Sequence, residues 1–148
     1  MNELNKHLRL IDDHMVDYEA LLPLYYQFEY HGIPFDCQVI HLETEGAYNI
    51  NLTANIGYLP YSSENKIRRQ QILKDFGHLM AHKLIIIDHH CNLTFPLNTM
   101  VTGELNAKKV VETILYTLLD VKDILEIISN TMQVKNIDED NSFNEAIA

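Results

Sequence analysis

The sequence predicts an α+β fold in which a three-strand antiparallel meander and a two-strand pair form one sheet with helices packed on it. Two observations carry this prediction. Apolar and polar side chains alternate in stretches between residues 24 and 58, and successive side chains of a strand point to opposite faces of a sheet. Segments with apolar residues at helical spacing precede, interrupt and follow these strands. The order of elements is therefore α-βββ-α-ββ-α. One sheet with helices packed on it can bury the apolar stripes of these elements.

The first helix is predicted from residue 2 to about residue 22. Its apolar residues recur at helical spacing with charged residues between them, at Leu4, Leu8, Ile11, Met15 and Leu22. Pro23 ends this helix because a proline ring clashes with the preceding turn.

Three strands are predicted next, over residues 24–30, 35–43 and 47–59. His31-Gly32 forms the first turn, and Glu45-Gly46 is a sequence typical of a hairpin turn. Short connections of this kind join antiparallel strands, so the three strands form a meander.

The second half begins with a helix over residues 64–80, for which Ser62 or Ser63 can serve as N-cap. Residues 84–87 and 93–97 are predicted strands, and the last helix begins between residues 102 and 106. Its long apolar stripe consists of Val110, Ile114, Leu118, Leu125 and Ile128. Residues 1–132 are therefore expected to form a single domain, and residues 133–148 an acidic, disordered tail.

Composition narrows the classes of function. The chain of 148 residues has a formal net charge of -10. It therefore lacks the excess of Lys and Arg that is typical of proteins that bind nucleic acid. Cys37 and Cys91 could form one bridge, but two cysteines in an acidic domain favour reduced thiols and the cytosol. The longest apolar run is far shorter than a membrane span requires. We therefore expect a cytoplasmic protein that binds neither nucleic acid nor membrane and needs no cofactor.

Two stretches resemble a known family. One is Ile56-Gly-Tyr-Leu-Pro-Tyr-Ser-Ser63, which leads into the helix with Arg68 and Arg69. The other is Asn92-Leu-Thr-Phe-Pro-Leu97, followed by a helix that contains Leu119-Asp-Val-Lys-Asp123. With the order of elements, they resemble the class I type III secretion chaperone fold, which the YbjN-like regulator family shares. The resemblance implies a small, acidic, cytosolic protein, often dimeric, that binds an extended segment of a client protein.

Asp88-His89-His90 follows an apolar stretch and resembles the metal-binding motif of the DHH phosphoesterases. A carboxylate and imidazoles at a strand end can bind a divalent metal. However, the His41 segment upstream carries no Asp-x-Asp cluster, and the chain is short for that two-domain scaffold. The other interpretation is a β-turn in which Asp88 and Asn92 supply the turn chemistry.

His78 and His82 lie four residues apart on the predicted helix, a spacing that can chelate a metal. No third ligand is evident, so exposed histidines at the helix end are the favoured interpretation. The sequence contains no nucleophile elbow, phosphate loop or Cys-x-x-Cys motif. We therefore predict no catalytic and no metal-binding residues.

The candidate residues for partner binding come from aromatic side chains and from strand two. Tyrosine rings are enriched at protein interfaces, and strand two is apolar on both faces, which predicts that a partner covers one of them. The predicted partner-binding residues are Tyr25, Phe35, Cys37, Val39, Ile40, Leu42 and Tyr61.

The sequence thus favours a non-enzymatic protein-binding domain, secretion-chaperone-like and homodimeric, that holds a client protein segment. The alternatives are a regulatory or immunity-type interaction protein and, less favoured, a metal-dependent DHH-like phosphoesterase.

Overall fold

The computed structural model describes residues 18–132, and within them it confirms the α+β class and the antiparallel sheet. Five strands lie in the order β1-β2-β3-β5-β4. The strands are β1 (Leu24–Tyr30), β2 (Ile33–His41), β3 (Ala47–Tyr58), β4 (Ile86–Ile87) and β5 (Asn92–Thr102). The α-helices are α1 (Ser62–Ala81), α2 (Ala107–Asp120) and α3 (residues 122–132).

The predicted first helix falls almost entirely outside the described residues, as does the predicted tail over residues 133–148. Only the end of that helix is described, where Glu19–Leu21 form a 3₁₀ turn ahead of Pro23. None of the described helices is long and apolar enough to cross a membrane.

The described residues form two compact units, one of residues 18–55 and 95–121, the other of residues 56–94 and 122–132. The first unit contains the meander. Tyr30 pairs with Ile33 across a two-residue turn, and both turn residues, His31 and Gly32, have positive φ. Two such residues match the twist of a hairpin. The turn therefore starts β2 at Ile33, two residues before the predicted start.

One face of the meander forms the apolar core of the first unit. Phe28 stacks on Phe35 with ring centroids 5.3 Å apart, and the register places Cys37 opposite Leu52. Alternation along each strand sends these side chains to the same face. The buried residues of this face are Tyr26, Phe28, Ile33, Phe35, Cys37, Val39, Ile50, Leu52 and Ala54.

Helix α1, in the second unit, begins with an irregular turn. Tyr61 is the N-cap, not Ser62 or Ser63, and its N–H donates to the Glu64 carboxylate. Asn65 then departs from helical geometry, and its side-chain oxygen accepts from the Arg68 N–H at 3.0 Å. Asn65 thus caps the regular part of the helix, as short polar side chains do at helix starts.

Arg68 is buried in this second unit, where it contacts the end of α3. Its Nη2 donates to the Thr131 carbonyl at 2.9 Å and lies 3.7 Å from the Met132 sulfur. Thr131 in turn donates from its hydroxyl to Asp75 at 3.0 Å. The last described turn of the chain is therefore fixed to α1 by hydrogen bonds at two positions of that helix.

The second strand pair differs in length from the prediction. β4 contains only Ile86 and Ile87, which pair with Thr94 and Leu93, whereas β5 continues to Thr102. The predicted single closing helix is also interrupted, because Val121 adopts non-helical geometry and ends α2. The Val121 N–H donates to the Leu119 carbonyl there, which closes a tighter turn.

Candidate functional site

Within residues 18–132, strand β5 has a free edge along its second half. β3 lies on one side of β5 and β4 on the other, but β4 pairs only with Leu93 and Thr94. From Phe95 to Thr102, no strand within the described part of the chain lies on the β4 side. A free edge presents unpaired main-chain groups that can pair with another chain.

Two hydrogen bonds at the ends of the β3–β5 ladder show which residues of β5 face this edge. The Leu59 N–H donates to the Cys91 carbonyl, and the Gly103 N–H donates to the Gly46 carbonyl. Main-chain groups alternate in direction along an antiparallel strand. Odd-numbered residues of β5 therefore direct their main-chain groups to β3, and even-numbered residues direct theirs to the edge.

Three even-numbered residues occupy the middle of the free edge. Asn98 and Met100 present an N–H and a carbonyl each, and Pro96 presents a carbonyl only. Pro96 agrees with this assignment of even-numbered residues to the edge, because a proline is tolerated where the missing N–H would face outwards. All three side chains are exposed, Met100 to 63%.

The odd-numbered side chains of the same stretch form one wall of a groove of about 420 Å³. These side chains are Leu97, Thr99 and Val101, all half-buried. Helix α2 and the residue after it form the other wall, with Thr113, Tyr116, Thr117, Asp120 and Val121. The groove thus lies under the free edge, on the face to which the inward side chains of an added strand would point.

Helix α2 is held in place by its cap and its buried stripe. Asn106 accepts from the Lys109 N–H at 2.8 Å, which satisfies a main-chain donor of the first turn. The stripe of Ala107, Val110, Ile114 and Leu118 is buried. The adjacent side of the helix carries the groove residues, among them Tyr116, whose ring is 68% exposed.

The hydroxyl groups of the groove threonines form hydrogen bonds with other groups of the protein. Thr113 and Thr117 donate to the carbonyls of Lys109 and Thr113, both at 2.7 Å. Thr99 and Thr117 share a hydrogen bond of 3.0 Å across the groove. The threonine methyl groups therefore remain for apolar contact, so the groove suits apolar side chains.

The two ends of the groove differ in charge. At the end near Thr102, the Lys109 amine donates to the Thr102 carbonyl. Because Lys109 contacts Thr102 and Thr117 contacts Thr99, α2 runs antiparallel to β5, so Asp120 comes at the other end of the groove, towards Leu97. Asp120 is exposed and makes no ion pair within residues 18–132. Lys108 and Glu112 form an ion pair of 3.9 Å on the same helix, and neither residue lines the groove.

The structure separates the sequence-predicted partner-binding residues. Phe35, Cys37 and Val39 lie in the core of the first unit, whereas Ile40 and Leu42 are half-buried. Tyr25 is exposed on the outer face of β1, and Tyr61 is exposed at the start of α1 in the second unit. Three of the seven predicted residues are therefore buried in a core.

The outer face of the meander carries polar side chains near Ile40, one of the predicted partner-binding residues. Gln38 donates to the Tyr25 hydroxyl at 3.3 Å and accepts from Asn51 at 3.4 Å. Asp36 accepts from Gln27 at 3.0 Å and from Asn55 at 2.9 Å. Cross-strand hydrogen bonds thus connect all three strands on this face.

Asp88 is used as a turn residue. Its Oδ1 accepts from the N–H groups of His90 and Asn92 at 2.8 and 2.9 Å, and its Oδ2 accepts from the Asn92 side chain. These bonds, the Asn92 N–H foremost, lower the pKa of the Asp88 carboxyl. Cys91 completes the turn with a φ of 65°. The carboxylate thus has its acceptor sites directed into the loop.

The predicted histidine pair of α1 also has a structural role. The His82 ring nitrogen Nδ1 lies 2.9 Å from the His78 carbonyl, at the C-terminal end of the helix. In the portion of the chain from residue 18 to residue 132, no three His, Cys, Asp or Glu side chains come together as a metal site would require.

Tyr58 and Tyr61 form a separate cluster in the second unit. The Tyr58 hydroxyl donates to Glu64, whose carboxylate also accepts from the Tyr61 N–H. These bonds lower the pKa of the Glu64 carboxyl and raise the pKa of the Tyr58 hydroxyl. The neighbouring Cys91 thiol raises the pKa of the Tyr61 hydroxyl. The cluster secures the start of α1.

Sequence reasoning missed the edge of β5 because it ended that strand at residue 97. A signal was present: Pro96 interrupts a β-branched and apolar stretch that continues to Thr102, and proline inside a strand indicates an edge. The groove itself had no local signal, because it depends on the packing of α2.

No protein-family model matches the chain, and no curated protein matches it significantly. Among solved structures, the chain is similar to YbjN from E. coli, described as a candidate transcription regulator. The match covers 92% of each chain at 8% identity, with a TM-score of 0.32.

Proposed function

We propose that this chain is a non-enzymatic, cytoplasmic protein-binding domain that takes up an extended segment of a partner protein as an added strand on β5. The observation that carries the proposal is the coincidence of a free strand edge with a groove beneath it. Strand addition gains affinity from main-chain hydrogen bonds and specificity from pockets for alternate side chains. Asn98 and Met100 supply the former, and the groove beside α2 supplies the latter.

The partner's inward side chains would lie opposite Val101, Thr99 and Leu97. A groove of about 420 Å³ is in the range of small binding clefts, and its threonine methyl groups favour apolar occupants. This mode of binding agrees with the secretion-chaperone resemblance of the sequence, in which a client protein segment is held in an extended conformation.

Proline substitution tests the proposal at the main chain. Met100→Pro removes an N–H that faces the free edge and leaves the β3 ladder intact, as Pro96 already does. The probe is a fluorescein-labelled peptide in which valine and threonine alternate over seven residues, measured by fluorescence anisotropy. Met100→Ala, which keeps the N–H, is the matched control. We expect Met100→Ala to bind like the wild type and Met100→Pro to bind at least about tenfold more weakly.

Two results would contradict the proposal. The wild-type protein could fail to bind the peptide, or Met100→Pro could bind it as tightly as Met100→Ala does. Circular dichroism should show that both variants are folded. Thr99→Pro gives the opposite control, because its N–H faces β3 and its loss should unfold the first unit.

We also propose a homodimer, formed through the exposed apolar side chains near β4. Leu84, Ile86 and Ile87 are exposed around the buried Ile85, and clustered apolar side chains at a strand edge favour association. Light scattering of the wild type should give a dimer mass, and Ile86→Lys should give a monomer. Ile67→Lys is the control, because Ile67 is also exposed but lies on α1. A monomeric wild type would contradict the dimer.

A further inference from the structure

The groove differs in charge from one end to the other, and this difference bears on which segments it accepts. Asp120 lines the end beside Leu97, where it is exposed and has no cationic partner within residues 18–132. At the opposite end, the Lys109 amine of α2 donates to the Thr102 carbonyl. A segment in the groove therefore meets an unpaired negative charge at one end only.

The register of an added strand defines which of its residues meets that charge. In an antiparallel strand, residues opposite Val101, Thr99 and Leu97 follow one another at two-residue spacing from the N- to the C-terminal side. All three side chains point to the groove face. The residue opposite Leu97 therefore comes last and lies beside Asp120.

We infer that the groove selects a partner segment with the pattern apolar-x-apolar-x-basic, bound antiparallel to β5 with its Lys or Arg beside Asp120. The inference rests on the proposed function, because it specifies the partner of the same site. The formal net charge of -10 also attracts basic segments from a distance, but it does not distinguish one end of the groove from the other, as Asp120 does.

Two synthetic peptides of identical composition test this polarity. One has the order Val-Thr-Val-Thr-Lys and the other Lys-Thr-Val-Thr-Val, both labelled, acetylated and amidated so that no terminal charge contributes. We expect the first peptide to bind about two- to fivefold more tightly at low salt, the range of a partly exposed ion pair. The difference should diminish as salt screens the charges.

Two variants assign the preference to a residue. Asp120→Asn should abolish it, and Asp120→Lys should reverse it. Glu112→Gln is the matched control: it changes the net charge by the same amount as Asp120→Asn, on the same helix, but outside the groove. We expect the preference to persist in Glu112→Gln.

The possible failures are distinguishable. If neither peptide binds, the proposed function and this inference both fail. If both peptides bind equally, or the second binds more tightly, the proposed strand addition remains, but the inferred position of the basic residue beside Asp120 is wrong. A preference that Glu112→Gln also abolishes would assign it to net charge and overturn the role of Asp120. If Met100→Pro converts a dimer to a monomer, the occupant is a second copy of this chain, which also overturns the inference.

Discussion

Val39 and Ile40 are adjacent on β2 and occupy opposite environments. The Val39 side chain is 0% exposed in the core of the first unit, opposite Ile50. Ile40 is half-buried on the outer face, opposite Asn49. Their sequence context is equally apolar, so the difference arises from the face that the core covers.

The same charged substitution at these two positions should have opposite results. Val39→Asp places an ion without a partner in the core and should cost about 3 kcal/mol or more of unfolding free energy. Ile40→Asp leaves the ion in contact with water and should cost less than about 1 kcal/mol. Urea or thermal denaturation followed by circular dichroism measures both values.

Ile40→Asp should also bind the valine–threonine peptide normally, because the residue lies on the outer face of the meander. If this variant unfolds, the outer face is covered in solution. If it folds and loses the peptide, the binding site lies on β2 and not on β5.

The sequence predicted the meander well and the second half of the sheet poorly, for a physical reason. Residues 24–58 alternate with one face buried and the other polar, so periodicity and turn residues together determine the register. In β5, however, Leu97, Thr99 and Val101 are only half-buried, and exposed Met100 breaks the alternation of apolar and polar residues. Their strand character depends on β3 and α2, which no local pattern indicates.

The candidate binding residues stay a prediction, and the structure shows what surrounds those of strand two. Strand two is apolar on both faces, and this suggested a partner for one of them. In the structure, Phe35, Cys37 and Val39 cover the core, and cross-strand amide hydrogen bonds occupy most of the outer face. Apolar content alone does not distinguish a strand within a core from one that awaits a partner.

Asp88 should matter for the stability of its turn and not for metal binding. Asp88→Ala removes the acceptor of three hydrogen bonds and should lower Tm, whereas His89→Ala should leave Tm unchanged. The folded state lowers the pKa of Asp88, so its contribution is present above the unfolded pKa and disappears as the pH falls through the folded pKa. The difference in Tm between wild type and Asp88→Ala should therefore disappear in acid. Stoichiometric manganese or zinc, lost in Asp88→Ala, would instead favour the phosphoesterase alternative.

Cys37 should make the protein less stable in alkali. Burial raises the pKa of the Cys37 thiol to about 12, so above roughly pH 9 the unfolded state loses a proton that the folded state keeps. The contribution of the buried thiol to stability is fully present below the thiol's unfolded pKa. Above that pKa, the free energy of unfolding falls by up to about 1.4 kcal/mol per pH unit. Burial also raises the pKa values of Tyr18 and Tyr26, so Cys37→Ala should reduce the slope without removing it. An unchanged slope would show that the thiol is accessible to water.

Gly57 should resist substitution because of its backbone and not because of its neighbour. Its φ is 136°, and a Cβ there would lie 2.9 Å from the Met132 Cε. The methionine end can move, but the backbone conformation disfavours any L side chain, so Gly57→Ala should cost about 1–3 kcal/mol. Met132→Ala in the same protein should recover little of this cost. A full recovery in the double variant would show that the contact is the cause.

Residues 133–148 should be dispensable, whereas the two residues before them should not. A chain that ends at Met132 keeps the Thr131 carbonyl for Arg68 and the Thr131 hydroxyl for Asp75, so its Tm should equal that of the full chain. A chain that ends at Asn130 loses both bonds, and the buried Arg68 guanidinium loses an acceptor, which should cost about 1–3 kcal/mol. Both chains should be compared by thermal denaturation and by binding of the valine–threonine peptide. If the chain that ends at Met132 is as destabilised as the shorter one, the acidic segment itself contributes to folding. The prediction of a disordered tail would then be wrong.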